Sequence, residues 1–339
     1  MKVFALNDSD QTPEVTEVDL PEPAEGEVRV RVRAASVNGF DLSVASGRLK
    51  GMMEHSFPVV LGKDFAGEVD ALGAGVEGFA VGDRVFGVVM KATLGDGSIG
   101  EYVTVPVALG IAKRPESIDF TDAAGLGLAG TAAVDAFDAA NVTEGQVVLV
   151  AGATGGVGQQ ALQLAVRAGA EIIATASSEE EIALVTKLGA AHTVDYKGDV
   201  AEQVLALRPE GVDAILHFAG APMPVVPAVK QGGVFVSTLL QSSADVPAEG
   251  VNVVSIYASP TADTLDRIAK HQAEEHTTVT VQRVYELDEA GQAFGDFAAG
   301  TLGKLVISTN APPHGGGGRR APATPRKATG HGTRRLLAL

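Results

Sequence analysis

The chain is 339 residues long, 45% apolar and 20% charged, with a formal net charge of −16. That length suffices for two domains, no apolar run reaches the roughly 18 residues of a membrane helix, and the acidic balance disfavours nucleic acid as the main partner. Cysteine is absent, which excludes disulfides, thiolate catalysis and zinc sites built on thiolates. The seven histidines are scattered without an H-x-x-x-H pair, and only His271 and His276 lie near one another. Met1–Ala5 reads as a short strand without the longer apolar core of a signal peptide, so a cytoplasmic protein is expected.

The first 115 residues read as β-rich. Val28-Arg29-Val30-Arg31-Val32-Arg33 alternates strictly, which predicts a strand with one face buried and one wet. Short apolar runs follow at Val59–Leu61, Glu68–Ala71, Arg84–Val89 and Tyr102–Val105, punctuated by glycine and proline, the pattern of a compact, partly open barrel. Near Ser117 the pattern changes to alternating strands and helices. Strands are predicted at 146–151, 171–176, 192–195, 212–217, 232–237 and 251–257, and helices at 156–168, 178–188, 199–207 and 222–230. Such alternation implies a parallel, doubly wound sheet. A helix at 261–274, a strand from Thr278 to Glu286 and segments at 288–299 and 304–307 follow. The last thirty residues are rich in Gly, Pro and Arg. They carry Arg319, Arg320, Arg326, Lys327, Arg334 and Arg335 and no acid, and their composition predicts a disordered basic tail over 309–339.

Within the second half, the apolar run Gln146–Ala151 feeds Gly152-Ala153-Thr154-Gly155-Gly156-Val157-Gly158, and a helix-like segment follows. A turn of this kind between strand and helix can carry a dinucleotide pyrophosphate on the helix N-terminus. Gly155 would allow close backbone approach to phosphate, and Gly158 would let the helix pack on the strand. A strict G-x-G-x-x-G fingerprint would need glycine where Ala153 stands.

Further motifs converge: Asn38-Gly39-Phe40-Asp41, Pro58 through Gly67, Gly73-Ala74-Gly75-Val76, Gly82-Asp83-Arg84-Val85, Gly130-Thr131-Ala132, Gly232-Gly233 and Gly303-Lys304-Leu305-Val306. Their order and spacing over about residues 1–308 resemble the medium-chain dehydrogenase/reductase superfamily, and most nearly its zinc-free, zeta-crystallin-like quinone oxidoreductase branch. The resemblance implies a GroES-like, partly open β-barrel domain over 1–115, completed by 275–308, and a Rossmann domain over 116–274. It also implies a homodimer through the Rossmann domain, with Val251–Tyr257 as the pairing edge strand. Zinc-dependent relatives place Cys where this chain has Asn38 and His where it has Lys63, so no metal site is expected.

Without a Lewis acid, alcohol oxidation is poorly supported, whereas hydride delivery to a quinone or an α,β-unsaturated carbonyl spreads the developing charge over a hydroquinone or enolate. The resemblance makes Asn38 the candidate donor to that oxyanion. Lys63 is a second catalytic candidate, equally readable as a solvated or salt-bridged lysine, and Asp41 reads as shaping the loop. No tyrosine takes the place of the relatives' proton donor, since Ser43 and Leu49 stand in that region.

Thr131 is expected near the cofactor, with a bond to its own helix backbone as the alternative. The cofactor contacts expected from the turn are Ala153, Thr154, Gly155, Gly156, Val157 and Gly158. Phe218, Ala219, Gly220 and Ser237 sit at the ends of later strands. Ser177 and Ser178 leave room for, and can bond, a 2′-phosphate, and Tyr196 resembles the family tyrosine that packs near it, which favours NADPH over NADH, although Glu179, Glu180 and Glu181 stand beside them. The expected function is a zinc-independent, NADPH-dependent reductase of quinones or α,β-unsaturated carbonyls. The alternatives are an enoyl reductase acting on a thioester or secondary-metabolite intermediate, or a non-catalytic nucleotide- or RNA-binding protein of the zeta-crystallin type.

Overall fold

The computed structural model describes residues 1–8 and 11–309, so the expected basic tail lies outside the described residues apart from Thr309. The first half comprises β1 (Lys2–Leu6), β2 (Glu14–Glu17), β3 (Glu27–Ser36), α1 (Gly39–Ala45), β4 (Val59–Val60), β5 (Asp64–Leu72), β6 (Arg84–Val88), β7 (Tyr102–Pro106) and β8 (Ile111–Lys113). The middle follows with α2 (Phe120–Ala140), β9 (Val147–Ala151), α3 (Gly156–Arg167), β10 (Glu171–Thr175), α4 (Glu179–Lys187), β11 (His192–Val194), α5 (Val200–Leu207), β12 (Val212–His217), β13 (Val229–Ser237), β14 (Asn252–Ser255) and α6 (Ala262–Ala273). The chain returns through β15 (Val281–Glu286), α7 (Ala290–Ala298) and β16 (Lys304–Ser308).

The alternation in β3 has its predicted consequence. Val28, Val30 and Val32 are buried, while Arg29 and Arg33 turn outward to Asp70 and Glu68 on β5. β3 pairs antiparallel with β5, β7 and β16, and its register with β5 shifts twice. Those shifts bend the strand, as closure of a small barrel requires. The resulting sheet runs β15-β16-β3-β5-β6-β8, so the last strands complete the first domain.

The middle of the chain forms a six-stranded sheet in the order β11-β10-β9-β12-β13-β14, with every pairing parallel. Its order reverses between β9 and β12, which opens a crevice beyond their carboxyl ends. The architecture is thus a GroES-like domain and a Rossmann domain. No helix among the described residues is long and apolar enough to cross a membrane.

Two elements differ from expectation. The helix predicted at 222–230 is only a 3-10 turn at Val226–Ala228, because Pro222, Pro224 and Pro227 remove donors and crowd the preceding carbonyls. Conversely, α2 runs for 21 residues where no helix was delimited. It is apolar on nearly all sides, so it shows no amphipathic stripe. That composition suits its place in the seam between the domains. A side chain at Gly127 would strike Gly87 O and Asp64 Oδ1 on the barrel side, and one at Gly130 would strike Ile268 of α6.

Candidate active site and cofactor cleft

One wall of the crevice is made of backbone. After β9, Gly152 takes φ +85°, and a Cβ there would lie 2.8 Å from Ala219 Cβ. Phe218 N donates to Ala151 O at 2.9 Å, so Phe218, Ala219 and Gly220 lie against the glycine-rich turn, as the strand order requires. Thr175 Oγ1, at the end of β10, accepts Gly152 N at 2.9 Å and ties the turn to the neighbouring strand. Gly158 is close-packed, since a Cβ there would lie 2.1 Å from Gly152 O, whereas Gly155 has room, with only Gly152 O at 3.5 Å. Ala153 is fully buried; Thr154, Gly156 and Val157 are half-buried. Gly155 is the N-cap of α3, and no side chain caps that helix. Its first-turn N–H groups and the positive end of its dipole therefore form an anion seat. These residues fit a dinucleotide pyrophosphate.

At the end of β12, His217 is buried, with Nδ1 2.9 Å from Ser237 Oγ. Ser237 Oγ also accepts Leu239 N at 3.0 Å, so a single hydroxyl ties the buried imidazole to the turn after β13. Burial pushes His217 down to about 4, against a weaker pull from the Ala221 and Gly220 backbone. The ring is neutral in the folded protein. Thr131 is fully buried inside α2 and donates to Gly127 O at 2.7 Å, which takes its hydroxyl to its own helix.

The opposite wall is made of buried side chains. Asn38 lies just beyond β3 as the N-cap of α1, whose Asp41 carboxylate accepts Asn38 N at 2.8 Å. Asp64, at the start of β5, is fully buried. Its Oδ2 accepts Ser36 Oγ at 2.6 Å and Asn38 Nδ2 at 2.9 Å, and its Oδ1 accepts Leu128 N from α2 at 2.6 Å. Lys304, the first residue of β16, donates to Asn38 Oδ1 at 2.6 Å and lies 3.3 Å from Asp64 Oδ2. An ammonium only donates, so it fixes the Asn38 amide with its oxygen toward Lys304 and its nitrogen toward Asp64. One Asn38 N–H is left uncommitted.

Lys304 also joins the two walls. Its stem fills the space a side chain at Gly156 would need, 2.5 Å from that Cβ, and Gly303 N donates to Thr154 O at 2.8 Å. Asp41 is pushed up to about 7 by burial first and by the Asp64 carboxylate second, with Asn38, Lys304 and Lys63 opposing. The Lys63 amine is directed elsewhere, donating to Val89 O at 2.9 Å and lying 5.0 Å from the Phe40 ring centroid. Burial lowers its pKa, and Asp41 counters that. The lysine that reaches Asn38 is therefore Lys304, and neither it nor Asp64 received a site role from the sequence. Gly303-Lys304 was visible as a motif, but nothing local signals a partner 266 positions away.

At the other end of the crevice, Ser177, Ser178 and Tyr196 do come together. They surround Glu181, which accepts Ser177 N at 2.6 Å, Ser178 N at 2.9 Å and Tyr196 OH at 3.0 Å.

The residues at the barrel wall do not fit zinc. Asn38, Asp64 and Lys63 supply no thiolate or imidazole, and the Lys304 ammonium already occupies the cationic position. Among the described residues, no group of three or more His, Cys, Asp or Glu is placed to hold a metal ion.

Two family models match the chain: the alcohol dehydrogenase GroES-like domain over residues 24–116 and the zinc-binding dehydrogenase domain over 156–255. The chain is 28% identical to the chloroplast envelope quinone oxidoreductase homolog of Arabidopsis thaliana over 87% of its own length and 93% of that protein. It is 33% identical to the chloroplastic NADPH-dependent alkenal/one oxidoreductase of the same plant, over 63% of its own length and 55% of that protein. Among solved structures, the quinone oxidoreductase from Coxiella burnetii superposes with a TM-score of 0.82 at 27% identity, covering 91% of this chain and 99% of that one.

Proposed function

Because the chain belongs to the medium-chain dehydrogenase/reductase superfamily, we propose that it is a zinc-independent oxidoreductase that reduces a quinone or an α,β-unsaturated carbonyl. One observation carries this reading. The Asn38 amide is held by Lys304 and Asp64 so that one N–H remains for an acceptor oxygen, at a wall joined directly to the glycine-rich turn.

A nicotinamide dinucleotide, when bound, supplies the hydride. The first turn of α3, Gly156 to Gly158, would hold its pyrophosphate, and the Phe218–Gly220 turn with Ser237 would border its nicotinamide half. As negative charge grows on the acceptor oxygen, the free Asn38 N–H donates to it. Lys304, bonded to Asn38 Oδ1, polarises the amide and strengthens that donor. Neutral His217 keeps positive charge away from the far side of the turn. After hydride transfer, either acceptor takes up one proton from solvent, a quinone at oxygen and an enolate at its α-carbon.

The small hydroxyls of Ser177 and Ser178 and the name of the alkenal/one relative favour NADPH, whereas the Glu181 carboxylate among those residues opposes it. The unpaired side of β14, the edge of the six-stranded sheet, offers the strand for a homodimer.

The test follows the loss of nicotinamide absorbance with benzoquinone, phenanthrenequinone, a straight-chain enone and a crotonyl thioester. Turnover of quinones or the enone supports the reading, and Asn38→Ala, with folding checked by thermal melting, is expected to lower kcat/KM by about a hundredfold. Turnover of the thioester alone moves the chain to the enoyl reductases. Dinucleotide binding without turnover of any acceptor overturns the reading.

A further inference from the structure

This inference rests on the reading of the crevice as a dinucleotide site. In a sheet of this order the adenosine ribose lies over the end of the second strand, here β10, next to the glycine-rich turn. β9 and β10 run in parallel register with Ala174 opposite Val150, and Thr175 Oγ1 is bonded to Gly152 N. Residues 176–178 therefore border the place where the ribose 2′ position would come.

Three donors converge there: the N–H groups of Ser177 and Ser178, and the Tyr196 hydroxyl from beyond β11. A 2′-phosphate would require such donors, and a single carboxylate already takes all three. Glu181 Oε2 accepts both N–H groups and Oε1 accepts Tyr196 OH. Part of this is a capping box, in which Ser178 Oγ accepts Glu181 N. The bonds from Ser177 N and from Tyr196 go beyond a cap, and Tyr196 belongs to another element. Of the side-chain hydroxyls, Ser178 Oγ accepts Glu181 N, and hydrogen bonding from the Lys197 N–H and then from Ser177 helps to hold the Asp195 pKa below its ordinary value. Burial works against the Glu181 charge, but the Ser178 and Ser177 N–H groups and Tyr196 hold its pKa below the ordinary value. Glu179 and Glu180 stand exposed on the same turn, and Lys197 is the cation that acts on Glu181.

We propose that Glu181 makes this crevice selective for a nicotinamide dinucleotide without a 2′-phosphate, that is, NADH. A ribose diol donates hydrogen bonds, which a carboxylate accepts. A 2′-phosphate brings only acceptors and further negative charge beside the Glu181 carboxylate, which already holds three of the donors it would use.

The test measures the dissociation constants of NADH and NADPH by nicotinamide fluorescence, with the cofactor-induced rise in Tm as a second readout, on the full chain and two variants. Glu181→Gln keeps a side chain able to close the capping box and removes the charge. Glu181→Lys reverses the charge. The wild-type protein is expected to bind NADH at least about tenfold tighter than NADPH. Glu181→Gln narrows that ratio, and Glu181→Lys shifts it toward NADPH. If the wild type prefers NADPH, or if both variants change the two constants equally, Glu181 is only a helix cap and the inference falls while the functional reading stands. If neither dinucleotide binds, both fall.

Discussion

The two walls of the crevice are built on opposite principles. The Rossmann wall presents main chain: a glycine-rich turn and the start of a helix with no side-chain cap. The barrel wall presents a buried polar cluster, with Asp64 at 0% and Lys304 at 3% exposure. Main-chain donors bring no charge of their own and desolvate cheaply. A buried carboxylate and ammonium are costly to bury and are tolerated only when every partner is present. A main-chain surface can thus be written in glycine spacing, whereas a polarised amide needs side chains from β3, β5 and β16 and a main-chain N–H from α2 at once.

The sharpest test of this contrast removes one charge from the barrel wall. Asp64→Ala leaves the Lys304 ammonium buried without its carboxylate, and the unfolding free energy from denaturant titration is expected to fall by about 3–5 kcal/mol. The double variant with Lys304→Met is expected to recover part of that loss, and strict additivity would show that the two charges do not interact.

Asp41 tests the same wall through pH. Its folded pKa is about 7 and its ordinary value 3.8, so the folded state keeps a proton that the unfolded chain releases. The stability linked to this group is fully present below about pH 4 and is lost as pH rises toward and through 7. Asp41→Asn keeps an acceptor for Asn38 N and removes the titration. Its stability relative to wild type is expected to be near zero around pH 4 and to grow to about 2–4 kcal/mol at about pH 8, read from urea unfolding at several pH values. A difference that does not change with pH would place the Asp41 pKa near its ordinary value.

On the Rossmann wall, two glycines separate fold from ligand. Gly158→Ala drives a Cβ to 2.1 Å from Gly152 O and is expected to cost about 1–3 kcal/mol together with the cofactor-induced rise in Tm. Gly155→Ala meets only ordinary contact, so it is expected to leave the apo Tm almost unchanged while the cofactor-induced rise is lost. Equal effects at the two positions would mean that the turn serves the fold alone.

The smallest expected effect comes from Lys63→Met, which should leave kcat/KM within about threefold of wild type because the Lys63 amine faces Val89 O. Lys304→Met should lower kcat/KM far more, since it removes the group that orients Asn38. A reversal of these two results would return Lys63 to the catalytic role its place in the motif suggested.

Much of the fold was legible because its signals are local. The Val-Arg alternation of β3 and the βα alternation from 146 to 217 carry their periods within a few residues. The 222–230 segment was misread as helix because its apolar residues fit a helical spacing while three prolines deny it donors. α2 went undelimited because a helix buried on nearly all sides has no polar face to reveal its period. At the site, Asn38 stood out by its motif. Thr131 was open to two readings, and its hydroxyl is turned to Gly127 O.

By itself, then, the sequence determined the two-domain architecture, the strand–turn–helix at Gly152–Gly158 and the Asn38 loop. Each follows from backbone preferences and hydrophobic period acting over a few residues. The tertiary structure alone decided which lysine meets Asn38 and which carboxylate fills the donors beside Ser177. Lys304 and Asn38 are 266 positions apart. Glu181 and Tyr196, though only 15 apart, meet across two different elements. A hydrogen bond acts over about 3 Å, and such distances between remote residues are fixed only when the whole chain has packed.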